Sequence, residues 1–172
     1  MTDTVSGVTA LVLNRPEKRV ADAGGPSRGL LPLLAVEHGR GWPEQLDLTG
    51  MASFRLVLVG PAALLLWDFD GVVLGRTDLE VGTHLVTSGG AEDGKSDRYL
   101  RDFARRPGAW RQLVQSQEPQ DDPAALVVRH EDGDRVFATV FGQLMTTTPG
   151  HLALSYSRIP WASQAWTERS FG

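Results

Sequence analysis

Cysteine is absent from all 172 residues. That excludes a disulfide, a thiolate nucleophile and a cysteine-ligated zinc, and it fits a reducing compartment. Basic runs are equally scarce. No stretch of lysine or arginine exceeds two residues, and the formal net charge is -4. A general nucleic-acid binder usually shows a basic stripe, so composition argues against that class. Long apolar runs are missing too. LLPLLAV and AALLLW fall far short of the ~20 residues needed to span a bilayer. The leading MTDTVSG has neither the basic nor the apolar segment of a signal peptide. A cytoplasmic protein without a membrane span is the expectation.

Chemical motifs are also sparse. There is no phosphate-binding glycine loop and no Gly-x-Ser-x-Gly elbow. His38, His84, His130 and His151 never stand three or four residues apart, the helical spacing of paired metal ligands. Gly24-Gly25 precedes a predicted helix and could meet an anion, but a loop tip explains it better. Asp68 and Asp70 share one strand face, a spacing that could hold a metal. The Asp70-Gly71 turn accounts for Asp70 without one. Thr2 would become an N-terminal nucleophile on loss of Met1, yet a polar stretch separates it from the first strand.

What is present reads as α+β. Val8 to Asn14 is a strand. Ser27 caps a helix whose apolar face is Leu30, Leu31, Leu33, Leu34 and Val36, ended by Gly39 and Gly41. His38 falls at its end, where the helix dipole favours a cation. A second short helix is predicted from Pro43 to about Leu48. Phe54 to Val59 and Ala63 to Phe69 form a hairpin about Gly60-Pro61. Asp70-Gly71 leads into Val72 to Leu74, and His84 to Thr87 completes a four-stranded meander. Asp97 to Arg106 and Gly108 to Gln115 read as helices. Ala125 to Arg129 reads as a short strand or helical turn. Arg135 to Thr147 and Leu152 to Ser157 form a last hairpin about Pro149-Gly150.

In order along the chain stand VTALVLNRP, SRGLLPLLAVEHG, FRLVLVGPAALLLWDFDG and GTHLVTSGG. DDPAALVVRHEDGDRVFATVFGQLM and SYSRIPW follow. This ordered set resembles the NRDE family, also called the transport-and-Golgi-organisation family, and most of all its short bacterial members. The resemblance covers nearly the whole chain. It implies one domain over residues 1–172, with the αββα sandwich of two antiparallel sheets found in N-terminal-nucleophile hydrolases. Full family members begin with a cysteine after Met1, then carry Asn-Arg-Asp-Glu and Gly-Gly-Thr-Trp segments. None of these is here, which implies that the first strands are missing and the edge beside Val8 to Asn14 is open to self-association.

The resemblance also implies a set of ligand-binding residues. Asn14 matches an asparagine that could donate to an oxyanion in hydrolase relatives. Arg28 lies in the matching Ser-Arg-Gly helix start. His84 and Ser88 match a His-x-x-Ser-Asn stretch, with Ser88 in the asparagine's place. Thr139 follows Ala138 in a Gly-Thr-Arg match, with Val140 in the arginine's place. No catalytic residue and no metal ligand is assigned, and hydrolysis is not expected. The implied function is a non-catalytic ligand-binding or transfer module, for haem or another apolar molecule. Two alternatives stand beside it: a cysteine amide hydrolase whose nucleophile segment lies outside this chain, and a protein-interaction domain. For haem, His84 is the candidate axial ligand.

Overall fold

Strict alternation in Phe54-Arg55-Leu56-Val57-Leu58 sends Phe54, Leu56 and Leu58 to one side of a strand. Their cross-strand partners Phe69, Trp67 and Leu65 point the same way. In the computed structural model these residues form the centre of a core with Ala10, Leu31, Ala35, Trp42 and Met51. The structure describes residues 1–15, 25–61, 63–89, 94–139, 141–148, 151–158 and 166–171. Two compact units emerge: Met1–Val81 with Thr147–Leu152, and Gly82–Thr146 with Ala153–Phe171.

The first unit is a five-stranded sheet in sequential order: β1 (Thr2–Asp3), β2 (Val8–Asn14), β3 (Phe54–Gly60), β4 (Ala63–Phe69) and β5 (Leu74–Asp78). All its neighbours are antiparallel. The predicted hairpin about Gly60-Pro61 is present, with Gly60 opposite Ala63. Ser27 caps as expected: its Oγ accepts from Gly29 N–H at 3.2 Å. It opens a 3-10 turn, Arg28–Leu30, that runs into α1 (Leu31–His38). Pro32 is tolerated because it sits in the first turn. Leu31 and Ala35 bury the helix against the sheet.

Gly39 ends α1 with φ of 57°, the left-handed region in which glycine carries no side-chain penalty. Gly41 does not terminate anything. The chain winds on as a 3-10 helix over Gly39–Gln45, in place of a second helix starting at Pro43. That continuation places Trp42 in the core, its ring 5.7 Å from Trp67 and edge-on to it.

Two predicted strands are corrected. The strand at Val72 to Leu74 begins instead at Leu74, because the Asp70 carboxylate accepts from the N–H groups of Val72 and Val73, both at 2.8 Å. Those two donors are withdrawn from any ladder. His84 to Thr87 forms no strand. A four-residue run needs a neighbour to complete its hydrogen bonds, and here the Leu85 carbonyl accepts from the Ser96 hydroxyl at 3.5 Å. The edge expected to be open is partly covered. β1 pairs with Val8 and Thr9, and the Met1 amino group donates to the Ala10 carbonyl at 3.0 Å. From Leu11 onward that side of β2 has no strand beside it among the described residues.

In the second unit, α2 (Lys95–Arg105) and α3 (Trp110–Gln115) fall close to the predicted helices, with a 3-10 turn at Pro107–Ala109 between them. The long strand predicted from Arg135 to Thr147 is two strands. β7 (Arg135–Ala138) folds back on β6 (Arg129–Asp132) through a Gly133-Asp134 turn, Gly133 taking φ of 57°. β8 (Phe141–Thr148) joins β9 (His151–Arg158) and β10 (Thr167–Phe171) in a three-stranded sheet with β9 in the middle. The architecture is thus α+β with antiparallel pairing, as the sequence implies. No helix among the described residues is long and apolar enough to cross a membrane.

Candidate functional site

α2 carries Phe103 on its last turn, and the 3-10 turn that follows swings Trp110 back against it. The rings meet edge to face at 5.8 Å. The indole N–H donates to the Phe103 carbonyl at 2.9 Å, which fixes the ring's orientation. These two side chains form one wall of a cavity of about 310 Å³ in the second unit. Val127 and Leu144 add apolar surface, and Trp166 closes another side.

Arg111 is the one cation among the described lining residues. Its guanidinium lies over the Trp166 ring, 5.1 Å from the centroid. Its Nη2 donates to Ser155 Oγ at 2.7 Å and to Glu168 at 2.8 Å. β9 and β10 therefore aim a charge that α3 supplies. A volume near 300 Å³ is at the lower end of the range for small-molecule sites, roughly 300–1,000 Å³. Mostly apolar walls with a few fixed polar groups are the usual composition of such sites.

The five residues assigned from the sequence are divided between the units. Thr139 lines the cavity. It also holds the local backbone: its N–H donates to the Val128 carbonyl at 2.8 Å, and its Oγ1 accepts from Val128 N–H at 3.1 Å. His84 and Ser88, in the same unit, are exposed and outside the lining. His84 is therefore a surface loop histidine and not the strand histidine expected. Asn14 sits exposed at the end of β2, opposite Phe54. Arg28 is half-buried in the first unit and donates to the Ser53 carbonyl at 3.0 Å. Val140 lies outside the described residues.

The cavity's main residues escaped the sequence reading. Phe103 and Trp110 read only as the apolar faces of two helices, and nothing marked Arg111 as different from its neighbours. The carboxylate pair is resolved as well. Asp70 is the turn residue described above, while Asp68 is engaged by Arg15 and Arg55. A carboxylate held by two guanidiniums is a poor metal ligand, and no group of metal-binding side chains occurs among the described residues.

His130 has one close acidic neighbour, Asp121, with Nδ1 and Oδ1 2.6 Å apart. The hydrogen bond and charge of Asp121, with a smaller contribution from Asp132, raise the imidazole pKa above its ordinary value. A raised folded-state pKa means that the stabilisation is full below about pH 6.5, the unperturbed histidine value, and lost as pH rises through the folded pKa. An NMR titration of His130 should show a midpoint above the ordinary histidine value, and Asp121→Asn should bring it back down. An unchanged midpoint in that variant would show that the pair does not persist in solution.

Compared with family models, with curated proteins and with solved structures, the chain gives no match.

Proposed function

We propose that this chain is a non-catalytic binding protein for a small, flat, mostly apolar molecule that carries an anionic group, held in the cavity of the second unit. The observation that carries this reading is the pairing of Phe103, Trp110 and Trp166 with a single lining cation, Arg111. Aromatic faces reward a planar ligand, and a guanidinium at the wall of an apolar pocket selects a carboxylate or similar anion. Both Arg111 hydrogen bonds leave from Nη2, so its remaining N–H groups are the donors offered to the ligand.

Haem fits this cavity poorly. None of the described lining residues is a histidine, methionine, cysteine or tyrosine, the side chains that usually bind haem iron. The proposal therefore keeps the apolar-ligand part of the expectation and leaves haem aside. Kinship with the NRDE family, and with it the αββα sandwich, remains a proposal of its own. It is supported by the way the matching segments coincide with whole elements: VTALVLN is β2, RGLLPLLAVEH spans the Arg28–Leu30 turn and α1, and FRLVLVG and ALLLWDF are β3 and β4.

Two fluorescent probes of similar shape test the charge. Anilinonaphthalene sulfonate carries an anion, and phenylnaphthylamine does not. Both should bind saturably to the native protein. Arg111→Met should weaken the anionic probe by about tenfold and leave the neutral one unchanged, since a hydrogen bond to a charged group contributes about 1.5–3 kcal/mol. Near-ultraviolet circular dichroism should confirm native packing in both proteins, because loosened states also bind such dyes. Equal weakening of both probes, or binding that never saturates, would refute the proposal.

A further inference from the structure

We infer that the outer edge of β5 is a docking edge for a second copy of this chain, joined antiparallel about a two-fold axis at Thr77. β5 is the last strand of its sheet, and no strand lies beyond it among the described residues. Its pairing with β4 shows which backbone groups it turns outward. The Leu79 N–H donates to the Leu64 carbonyl at 2.8 Å, and the Val73 carbonyl accepts from the Asp70 N–H at 3.3 Å. Both bonds continue the β4–β5 register, in which Thr77 faces Leu66 and Gly75 faces Asp68. Backbone groups turn to alternate sides along an antiparallel strand. The odd-numbered residues therefore bond to β4, and Leu74, Arg76 and Asp78 turn their N–H and C=O groups away from it. Solvent reaches this edge: the side chains of Arg76 and Asp78 are 49% and 52% exposed, and the flanking Val73 and Val81 are 63% and 104% exposed.

Charge selects both the occupant and the register. Two such edges can bond only where outward-turned residues meet outward-turned residues. With the axis at Arg76, the two Arg76 side chains oppose each other; with it at Asp78, two carboxylates do. Like charges directly opposite destabilise an antiparallel pair, and opposite charges stabilise it. An axis at Gly75 sets Arg76 against Leu74 and pairs no charges. With the axis at Thr77, Arg76 of each copy faces Asp78 of the other, and each facing pair exchanges both of its N–H···O bonds. The same register carries Val73 towards the second copy's Val81, so two exposed valines leave water. Within one copy, Arg76 Nε already lies 3.3 Å from Asp78 Oδ1, and Arg40 donates to Asp78 Oδ2 at 2.8 Å. Pairing therefore builds an alternating row of charges across the axis. Edge strands are commonly guarded by proline or by charge of one sign. β5 is Leu-Gly-Arg-Thr-Asp, with no proline and one charge of each sign, so its charges do not repel a copy of itself.

The test is sedimentation of the full chain over a range of concentrations up to its solubility limit. A reversible monomer–dimer equilibrium is expected. Arg76→Asp and Asp78→Arg should each weaken it by about tenfold, since either reversal sets like charges opposite each other. An equimolar mixture of the two variants should dimerise as the native chain does, because opposite charges face each other again. Far-ultraviolet circular dichroism checks that each variant is folded. Thr77→Cys reads the register, as a lone thiol in a chain without cysteine. Facing residues at a non-hydrogen-bonded antiparallel site stand about 4.5 Å apart at Cα, within reach of a disulfide. Mild oxidation should link two copies of Thr77→Cys and leave the exposed control Val5→Cys unlinked. A chain that stays monomeric at every concentration would leave the edge to a strand from another protein and overturn the inference. A dimer that neither reversal weakens, or a mixture no tighter than either variant alone, would overturn it as well. Sedimentation of the native chain and cross-linking at residue 77 decide the matter even if a reversal prevents folding.

Discussion

Trp42→Ala should destabilise the first unit by about 3–5 kcal/mol, the usual cost of emptying a large aromatic site in a packed core. Trp42 is fully buried. Its ring meets Trp67 at 5.7 Å and Phe54 at 6.1 Å, so its removal also ends two aromatic contacts. Trp42→Phe should cost much less. The indole Nε1 has no hydrogen-bond partner among the described residues, and a buried unpaired donor costs about 1–3 kcal/mol. Phenylalanine removes that donor while keeping a ring, so lost volume and relieved desolvation oppose each other. Urea denaturation followed by far-ultraviolet circular dichroism gives both values. A Phe variant as unstable as the Ala variant would mean that the indole N–H is satisfied in solution.

Asp68→Ala comes next in size, at about 1–3 kcal/mol. Breaking a buried ion pair by removing one partner costs about 3–5 kcal/mol. Asp68 itself is 36% exposed, so solvent screening reduces that figure. Most of the loss arises from the arginines left behind. Two consequences separate this account from simple loss of packing. Adding Arg55→Met to Asp68→Ala should recover part of the stability, because one of the two guanidiniums that lost the carboxylate is gone. Phosphate should stabilise Asp68→Ala more than the native protein, because it replaces the missing negative charge. Thermal melts of the three proteins, with and without phosphate at fixed ionic strength, decide it. A double variant less stable than Asp68→Ala would contradict the electrostatic account.

Much of the first unit was legible because its signals are local. The Ser27 cap, the Gly39 stop, the Gly60-Pro61 hairpin and the Phe54-Leu56-Leu58 alternation each act over a few residues and agree with one another. Where the reading failed, a distant partner decided the outcome. Val72 and Val73 have strand residues' chemistry, but the Asp70 side chain takes their N–H groups. Arg135 to Thr147 reads as one strand because every residue in it tolerates extended backbone. Only the availability of β6 on one side and β9 on the other cuts it in two. β10, Thr-Glu-Arg-Ser-Phe, is exposed throughout and shows no apolar alternation from which it could be read.

The same division holds for the candidate sites. By itself the sequence determined that none of these 172 residues can supply a thiolate, and it determined the α+β pattern, since apolar periodicity is a property of neighbours in the chain. The family resemblance also pointed to Thr139, which lines the cavity, although the sequence could not say what it touches. Tertiary structure alone decided that Arg15 and Arg55 share Asp68, residues 53 and 13 positions from it. It alone aimed Arg111 at Trp166 by way of Ser155 and Glu168. The physical reason is that a site's charge and shape come from groups that meet only after the chain has paid the entropy of closing the long loops between them.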